Sequence, residues 1–302
     1  MAVETESITA TFVPIISCLR KVEEFVVTPG EWVPQNDTQR KFISSRLQDK
    51  HELEMFLNGT NENEPLKIEG IASKKALDIN EFLERHNFNI SFEDFEKNKF
   101  GVASVMDALL NWEVKGRSTT LKGQDGNVHA AVSIDLIDVV RSVNISPILY
   151  LPTTQREYQV GITVPERSIE DEFDLMDFII NTKERVTANN FGLAKYSESV
   201  VFPKVDLDQE TDVNWLEDML YSPFPGYRID RAIQQVKFKM NEHGLHAKSG
   251  MGIRIETLGA HPEPLVIDRP FITWIEKDQI SVPLFAGYIN YSDWKDPGNL
   301  DL

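Results

Sequence analysis

This chain contains almost no cysteine. Cys18 is the only one among its 302 residues, so no intrachain disulfide can form. That usage is typical of a reducing compartment, or of a fold that needs no covalent cross-links. The stability of the protein therefore has to come from its core.

Positive charge is also scarce. The sequence has 31 lysines and arginines against 48 aspartates and glutamates, for a formal net charge of −17 at pH 7. A nucleic-acid-binding protein needs a basic face to displace the counterions of phosphate, and anionic lipid attracts basic segments. The charge therefore argues against nucleic-acid and membrane partners.

Targeting signals are missing from the first residues. Residues 1–7 contain Glu4 and Glu6 and no basic residue, unlike the positively charged start of a secretory signal. The apolar run at residues 12–19 is too short to span a bilayer and contains Pro14. We therefore expect an intracellular, cytoplasmic location.

The sequence motifs of enzymes are missing as well. There is no glycine-rich phosphate loop, no His-Glu-x-x-His motif and no cysteine cluster. Of the six histidines, only His243 and His246 lie close together, in a glycine-flanked stretch typical of exposed loops. We expect a protein without enzymatic activity, cofactor or metal.

The sequence does have enough apolar residues, 41% of the total, for a large core. No stretch resembles an interdomain linker, which predicts a single domain over residues 1–302. Apolar residues at helical spacings predict helices over residues 38–56, 78–85, 100–112 and 168–180. Asp78, followed three residues later by Glu81, is the predicted N-cap of the second helix.

Strands are predicted mainly towards the C-terminus. Alternating apolar residues bounded by proline, glycine or charge predict strands over residues 87–95, 128–140, 148–151, 158–164, 199–207, 229–240, 265–276 and 281–290. Helices early and in the middle, with long strands after them, indicate an α+β fold built around antiparallel or mixed sheets.

Short motifs recur in a fixed order along the chain. In the middle these are Asn80-Glu-Phe-Leu83, Leu110-Asn-Trp112, Ile148-Leu-Tyr-Leu-Pro152 and Val200-Val-Phe-Pro-Lys-Val205. Near the end these are Asn241-Glu-His-Gly244, Asp268-Arg-Pro-Phe271 and Leu284-Phe-Ala-Gly287. In order and spacing, these motifs resemble those of the serpin superfamily, over residues 77–118 and 148–297.

The resemblance implies a large mixed or antiparallel sheet, a second core sheet and packing helices. It makes residues 100–112 a helix across the front of the large sheet, which would carry residues 128–140 and 229–240. The chain is shorter than a usual serpin, so we expect reduced N-terminal helices and some missing strands. Residues 12–17 only echo the segment that controls opening of the large sheet. The family's Phe-Lys-Gly-x-Trp motif is absent at residues 137–141.

The resemblance also implies a reactive loop, because residues 241–268 have the length of the loop that serpins present to proteases. Its hinge would contain Glu242, Gly244, Leu245, Ala247 and Ser249, and the scissile bond would join Leu258 to Gly259. Four glycines and several charges in residues 242–263 predict an exposed excursion. Inhibition in the family requires the cut loop to enter the sheet as a strand. The bulky Leu245 opposes the first step, because overpacking costs about 1–3 kcal/mol.

Two functions follow from the resemblance. The first is a serpin-fold protein that has lost protease inhibition and serves a binding, structural or self-assembly role, with itself or another protein as its partner. A viral or secretory-tissue source would suit it. The alternative is an intracellular inhibitor of a serine or cysteine protease that cuts after a large apolar residue.

Overall fold

The structure is a computed structural model that describes residues 6–26, 28–47, 65–96, 99–142, 145–188, 194–222, 226–245, 264–278, 280 and 282–300. Within these ranges the α-helices are α1 (Phe12–Phe25), α2 (Asp37–Phe42), α3 (Ala76–Arg85) and α4 (Glu172–Ala188). The strands are β1 (Ile8–Ala10), β2 (Trp32–Val33), β3 (Leu66–Ser73), β4 (Gly101–Ala108), β5 (Leu110–Asn111), β6 (Arg117–Lys122), β7 (Val128–Ser142), β8 (Ile145–Pro152), β9 (Tyr158–Thr163), β10 (Ala194–Pro203), β11 (Val205–Thr211), β12 (Leu220–Tyr221), β13 (Tyr227–Arg228), β14 (Gln234–Met240), β15 (Gly244–Leu245), β16 (Leu265–Val266), β17 (Phe271–Lys277) and β18 (Phe285–Ile289).

The chain divides into two compact units. The first contains Met1–Ala10, Leu109–Leu207 and Lys237–Leu302, and the second contains Thr11–Ala108 and Asp208–Val236. The single domain over residues 1–302 stays a prediction. The α+β class is confirmed, because antiparallel sheets and helices build the described part of the chain.

A nine-stranded sheet forms the core of the first unit. Its order is β1-β18-β17-β9-β8-β7-β10-β16, and β6 pairs with β7. Neighbours are antiparallel except for β10 and β16, which are parallel. The residues on its central strands are buried on both faces, which favours continuous apolar runs; examples are Ile148, Leu149, Leu151, Val160 and Ile162.

Helix α4 contacts β1 and β18 of this sheet through an apolar face that contains Phe173, Met176 and Ile179. The predicted start of this helix at Ser168 is wrong. The helix begins at Glu172, and the Asp171 side chain accepts a hydrogen bond of 2.7 Å from the backbone N–H of Asp174. Asp171 therefore caps the N-terminus of the helix.

The second unit is built on the antiparallel strand pair β3–β4. Helix α1 contacts both strands, and Pro14 lies in its first turn, where the missing N–H has no helical partner to lose. Helix α3 packs Ile79, Phe82 and Leu83 against Ala103 and Val105 of β4. Strands β2, β12 and β13 form a small separate sheet in this unit.

The predicted helix over residues 100–112 is wrong. Residues 101–108 form β4, which is antiparallel to β3 along its whole length. Apolar residues in this stretch fit a helical and a strand period equally well, and pairing with β3 decides for the strand. Its buried residues Ala103 and Val105 alternate with less buried neighbours, as expected for a sheet face.

The predicted strand over residues 87–95 is wrong as well. This segment has no regular structure, and Phe88, Ile90, Phe92 and Phe95 pack on the α3 cluster. The Asn80 side chain fixes it, accepting a hydrogen bond of 2.8 Å from Phe92 N and donating one of 2.9 Å to Phe92 O. The alternation of aromatic residues therefore reflects packing on a helix rather than strand pairing.

Other predicted elements shift at their ends. Helix α2 begins after Asn36, which caps it by accepting from Gln39 N at 2.8 Å, and the part of the predicted helix beyond residue 47 lies outside the described residues. Helix α3 begins after Lys75, so Asp78 is not its N-cap; the Asp78 carboxylate accepts from Ser73 Oγ at 2.5 Å instead.

The large sheet does not carry both strands that were predicted for it. Residues 128–142 form β7 of the nine-stranded sheet, whereas the predicted strand over 229–240 begins at Gln234 as β14 and pairs with β11 in a two-stranded sheet. The predicted strand over 199–207 is divided at Lys204 into β10 and β11, and the one over 265–276 into β16 and β17. Sequence pattern predicts strands, but which sheet a strand joins depends on long-range pairing.

Candidate functional site

The hinge site lies in the first unit, where β14 ends and the predicted reactive loop begins. We define it as Asn241, Glu242, Gly244 and Leu245 together with Lys204, Trp112 and Asp296. Strand β15 pairs antiparallel with β5, so that Gly244 faces Asn111 and Leu245 faces Leu110. The first residues of the predicted loop are therefore part of a sheet.

Asn241 is fully buried and organises the turn into the hinge. Its side-chain oxygen accepts a hydrogen bond of 2.8 Å from His243 N, and its amide donates one of 3.3 Å to Gly298 O. Its carbonyl accepts a hydrogen bond of 2.9 Å from the indole N–H of the buried Trp112. Both polar side-chain atoms and the carbonyl of this buried residue therefore have a hydrogen-bond partner, which they need because burying them unpaired would be costly.

Two backbone hydrogen bonds hold the next residues of the hinge. Trp112 N donates to His243 O at 3.2 Å, and Gly116 N donates to Glu242 O at 2.9 Å. Gly116 has to be glycine here, because a Cβ atom would lie 2.5 Å from Val132 Cγ1 and 3.3 Å from Glu242 Cα.

Gly244 adopts a backbone conformation that other residues avoid. Its φ angle is +148°, and a Cβ atom would overlap the carbonyl oxygen of Leu110 and lie 2.8 Å from Asn111 Cα. Only glycine allows the hinge backbone to approach β5 so closely.

A buried lysine holds the hinge from the other side. Lys204 is 3% exposed, and its Nζ lies 2.8 Å from Glu242 Oε2 and 2.9 Å from Asp296 Oδ2. The chain presents Lys204 here because it separates β10 from β11, with its backbone N–H bonded to Ala130 O at 2.9 Å. A buried ammonium group needs such carboxylate partners to offset the loss of water.

The protonation equilibria of the three groups reflect this arrangement. Burial by itself lowers the pKa of Lys204, but its bonds to Glu242 and Asp296 outweigh burial and hold that pKa above the ordinary value. Burial raises the pKa of Glu242 and of Asp296, yet the contact with Lys204 outweighs it and leaves both carboxyl pKa values below their ordinary range. The three groups are thus charged together near neutral pH.

The structure corrects part of the predicted loop. Glu242 is half-buried in the ion pair and Gly244 is buried within a strand, so the predicted exposed excursion does not begin at residue 242. Leu245 continues β15. The remaining predicted residues, Ala247, Ser249, Leu258 and Gly259, lie outside the described residues, as does most of the loop (246–263).

Sequence analysis missed the partners of the hinge. Lys204 and Asp296 received no role, and Trp112 was only part of a motif, although a lysine inside the apolar run of residues 200–205 was a usable signal. The family's tryptophan motif is absent at residues 137–141, which lie in β7. The strand that pairs with the hinge is β5, and Trp112 follows it directly.

Two kinds of site are not found in the described part of the chain. No group of three or more His, Cys, Asp and Glu side chains there could hold a metal ion. None of the described helices is long and apolar enough to cross a membrane.

Comparison of sequences found no match, neither to a protein-family model nor to a curated protein. Comparison of structures found many, among them thyroxine-binding globulin in complex with thyroxine (TM-score 0.64, 12% identity, covering 96% of this chain and 94% of that one). Uncleaved ovalbumin matches with a TM-score of 0.60 at 15% identity, covering 93% and 92%. A serpin from Schistosoma mansoni matches with a TM-score of 0.61 at 12% identity, covering 95% and 96%. The chain therefore has a serpin-like fold, as its motifs predicted.

Proposed function

We propose that this chain is a non-inhibitory serpin-fold protein that binds a protein partner, either a second copy of itself or another protein, through the loop at residues 246–263. It acts inside the cell as one domain over residues 1–302, without enzymatic activity. Its role is binding, structural or self-assembling.

The observation that supports this proposal is that strand pairing, an ion pair and hydrogen bonds hold the hinge in place. A cut loop can enter a sheet as a new strand only if β15 separates from β5 and Glu242 moves away from Lys204. That movement would leave a buried ammonium group with Asp296 alone, and separating a buried ion pair is strongly destabilising. It would also break the bond from Trp112 to the Asn241 carbonyl. These bonds favour a hinge that stays in place.

The similar solved structures make a binding role reasonable for this fold. One of them is a complex of thyroxine-binding globulin with thyroxine, and another is ovalbumin in its uncleaved state. By analogy, a stable framework with a long loop can serve for contacts alone, since loops carried on a rigid scaffold commonly bind partners.

The test begins with cleavage of the loop near Leu258 by a chymotrypsin-like protease. We expect the nicked protein to melt within a few degrees of the intact one, and no protease complex to survive on a denaturing gel. A rise in melting temperature of tens of degrees, or a covalent complex, would mean that the loop inserts. The protein would then be an inhibitor of a serine or cysteine protease.

A further inference from the structure

We infer that residues 290–300, the C-terminal strap, tie down both ends of the loop at residues 246–263 and thereby set how easily the hinge moves. This inference deepens the proposed function, since it concerns the regulation of the same hinge. It names a positioning role for Asp296, which bonds to Lys204 beside Glu242, and for Tyr291, which bonds to Asp268.

The strap holds the first end of the loop through an ion pair and through a hydrogen bond from a side-chain amide. Asp296 Oδ2 lies 2.9 Å from Lys204 Nζ, and Lys204 in turn holds Glu242. Gly298 O accepts the hydrogen bond of 3.3 Å from the buried Asn241 amide. A bond of 3.0 Å from Gly298 N to Asp296 Oδ1 closes the strap into a turn that presents both groups together.

The strap holds the second end of the loop through a tyrosine. The Tyr291 hydroxyl donates a hydrogen bond of 3.3 Å to Asp268 O, two residues after β16. Gln124 N donates to the same carbonyl at 2.8 Å, from the turn between β6 and β7. The strap therefore holds the chain at residues 241–242, before the loop, and again at residue 268, after it.

Aromatic packing fixes the strap between these two contacts. Trp294 is 4% exposed, and its ring lies edge-on to the His129 imidazole at 4.9 Å between centroids. Tyr291 stacks on the same imidazole at 5.9 Å, and the Asp125 carboxylate lies 3.1 Å from His129 Nε2. Leu300 is buried as well. The strap is thus anchored in the core, and its polar groups face the two ends of the loop.

Two variants separate the two contacts. Asp296→Ala removes the carboxylate at the first end, and Tyr291→Phe removes only the hydroxyl at the second. Lys295→Ala is the matched control, because the Lys295 side chain is largely exposed and its ion pair with Asp293 spans 3.9 Å. The measurement is amide hydrogen exchange of the full-length protein, followed in peptides that cover residues 241–245 and 264–268.

We expect Asp296→Ala to speed exchange about two- to tenfold at residues 241–245 and to leave residues 264–268 unchanged, because one or two net hydrogen bonds are lost. Tyr291→Phe should do the reverse, and Lys295→Ala should change neither peptide. Trp294→Ala, if it folds, should speed exchange at both ends. Equal exchange in all variants, or faster exchange at the end that a variant does not contact, would contradict the inference that the strap holds both ends.

The failure of this inference is distinguishable from failure of the proposed function. If the nicked wild-type protein melts far higher, the loop inserts and the non-inhibitory role is wrong, whatever the exchange shows. If nicking leaves the melting temperature unchanged but the variants exchange like wild type, only the strap is wrong.

Discussion

Lys204 and Glu242 form an ion pair of 2.8 Å between the residue that separates β10 from β11 and the first residue of the predicted hinge. The lysine is almost completely buried, and Glu242 is shielded beside it. Because an isolated charge is costly to bury, each of the two side chains restricts where the other can go. The predicted hinge is therefore coupled to the core at its first residue, Glu242.

The first prediction concerns the lysine. Lys204→Met should lower the free energy of unfolding by about 2–3 kcal/mol, somewhat less than for a fully buried pair because the Asp296 side chain is 47% exposed. Urea unfolding followed by fluorescence measures this change. The control is Lys122→Met on β6, an exposed lysine, which should stay within about 0.5 kcal/mol of wild type. Equal effects of both substitutions would mean that the ion pair adds nothing.

The second prediction concerns the hinge backbone. Gly244→Ala should cost about 2–4 kcal/mol, because the new Cβ atom overlaps the backbone of Leu110 and has to push β15 away from β5. Gly126→Ala is the matched control, since Gly126 also has a positive φ, +88°, but open space around its Cα. It should cost only about 1 kcal/mol of backbone strain. Thermal unfolding of both variants would decide, and similar losses would contradict the close approach.

The third prediction is a pH dependence. Because the pKa values of Glu242 and Asp296 are lowered in the folded protein, the unfolded chain binds more protons than the folded one in mild acid. Stability from this source is thus fully present above the ordinary carboxyl pKa of about 4 and is lost as the pH falls through the folded values. Unfolding measured from pH 7 to pH 3 should show this loss. Lys204→Met should flatten the curve, and an equally steep curve in the variant would assign the dependence to other carboxylates.

The fourth prediction concerns the segment that covers α3. Asn80→Ala removes both hydrogen bonds to Phe92 and should cost about 1–3 kcal/mol. Asn80→Asp keeps the acceptor for Phe92 N but places a carboxylate oxygen against Phe92 O, so it should destabilise as well. Chemical denaturation measures both, with proteolysis of residues 88–96 as a second readout. If the segment is cut no faster in Asn80→Ala than in wild type, another contact holds it.

Much of the strand content could be predicted from the sequence alone. Strands β7, β8, β9 and β18 fall within or close to their predicted ranges, because apolar patterns bounded by proline, glycine or charge are local signals. The order of the short motifs predicted a serpin-like fold, and structural comparison confirmed it. Asn241-Glu-His-Gly244, where the resemblance puts the start of the hinge, follows β14 directly.

Tertiary structure decided what local pattern left open. The apolar run at residues 100–112 contains strand β4 because it pairs with β3. Residues 128–140 and 234–240 lie in different sheets, because the first pair with β6, β8 and β10 whereas the second pair with β11. The hinge site needs Lys204 and Asp296, which are 92 positions apart in the chain and meet at Glu242. Burial around Lys204 makes each charge depend on the others, and burial is a property of the packed molecule. The sequence by itself determined the segments and the class of fold, whereas long-range packing decided which side chains hold the hinge.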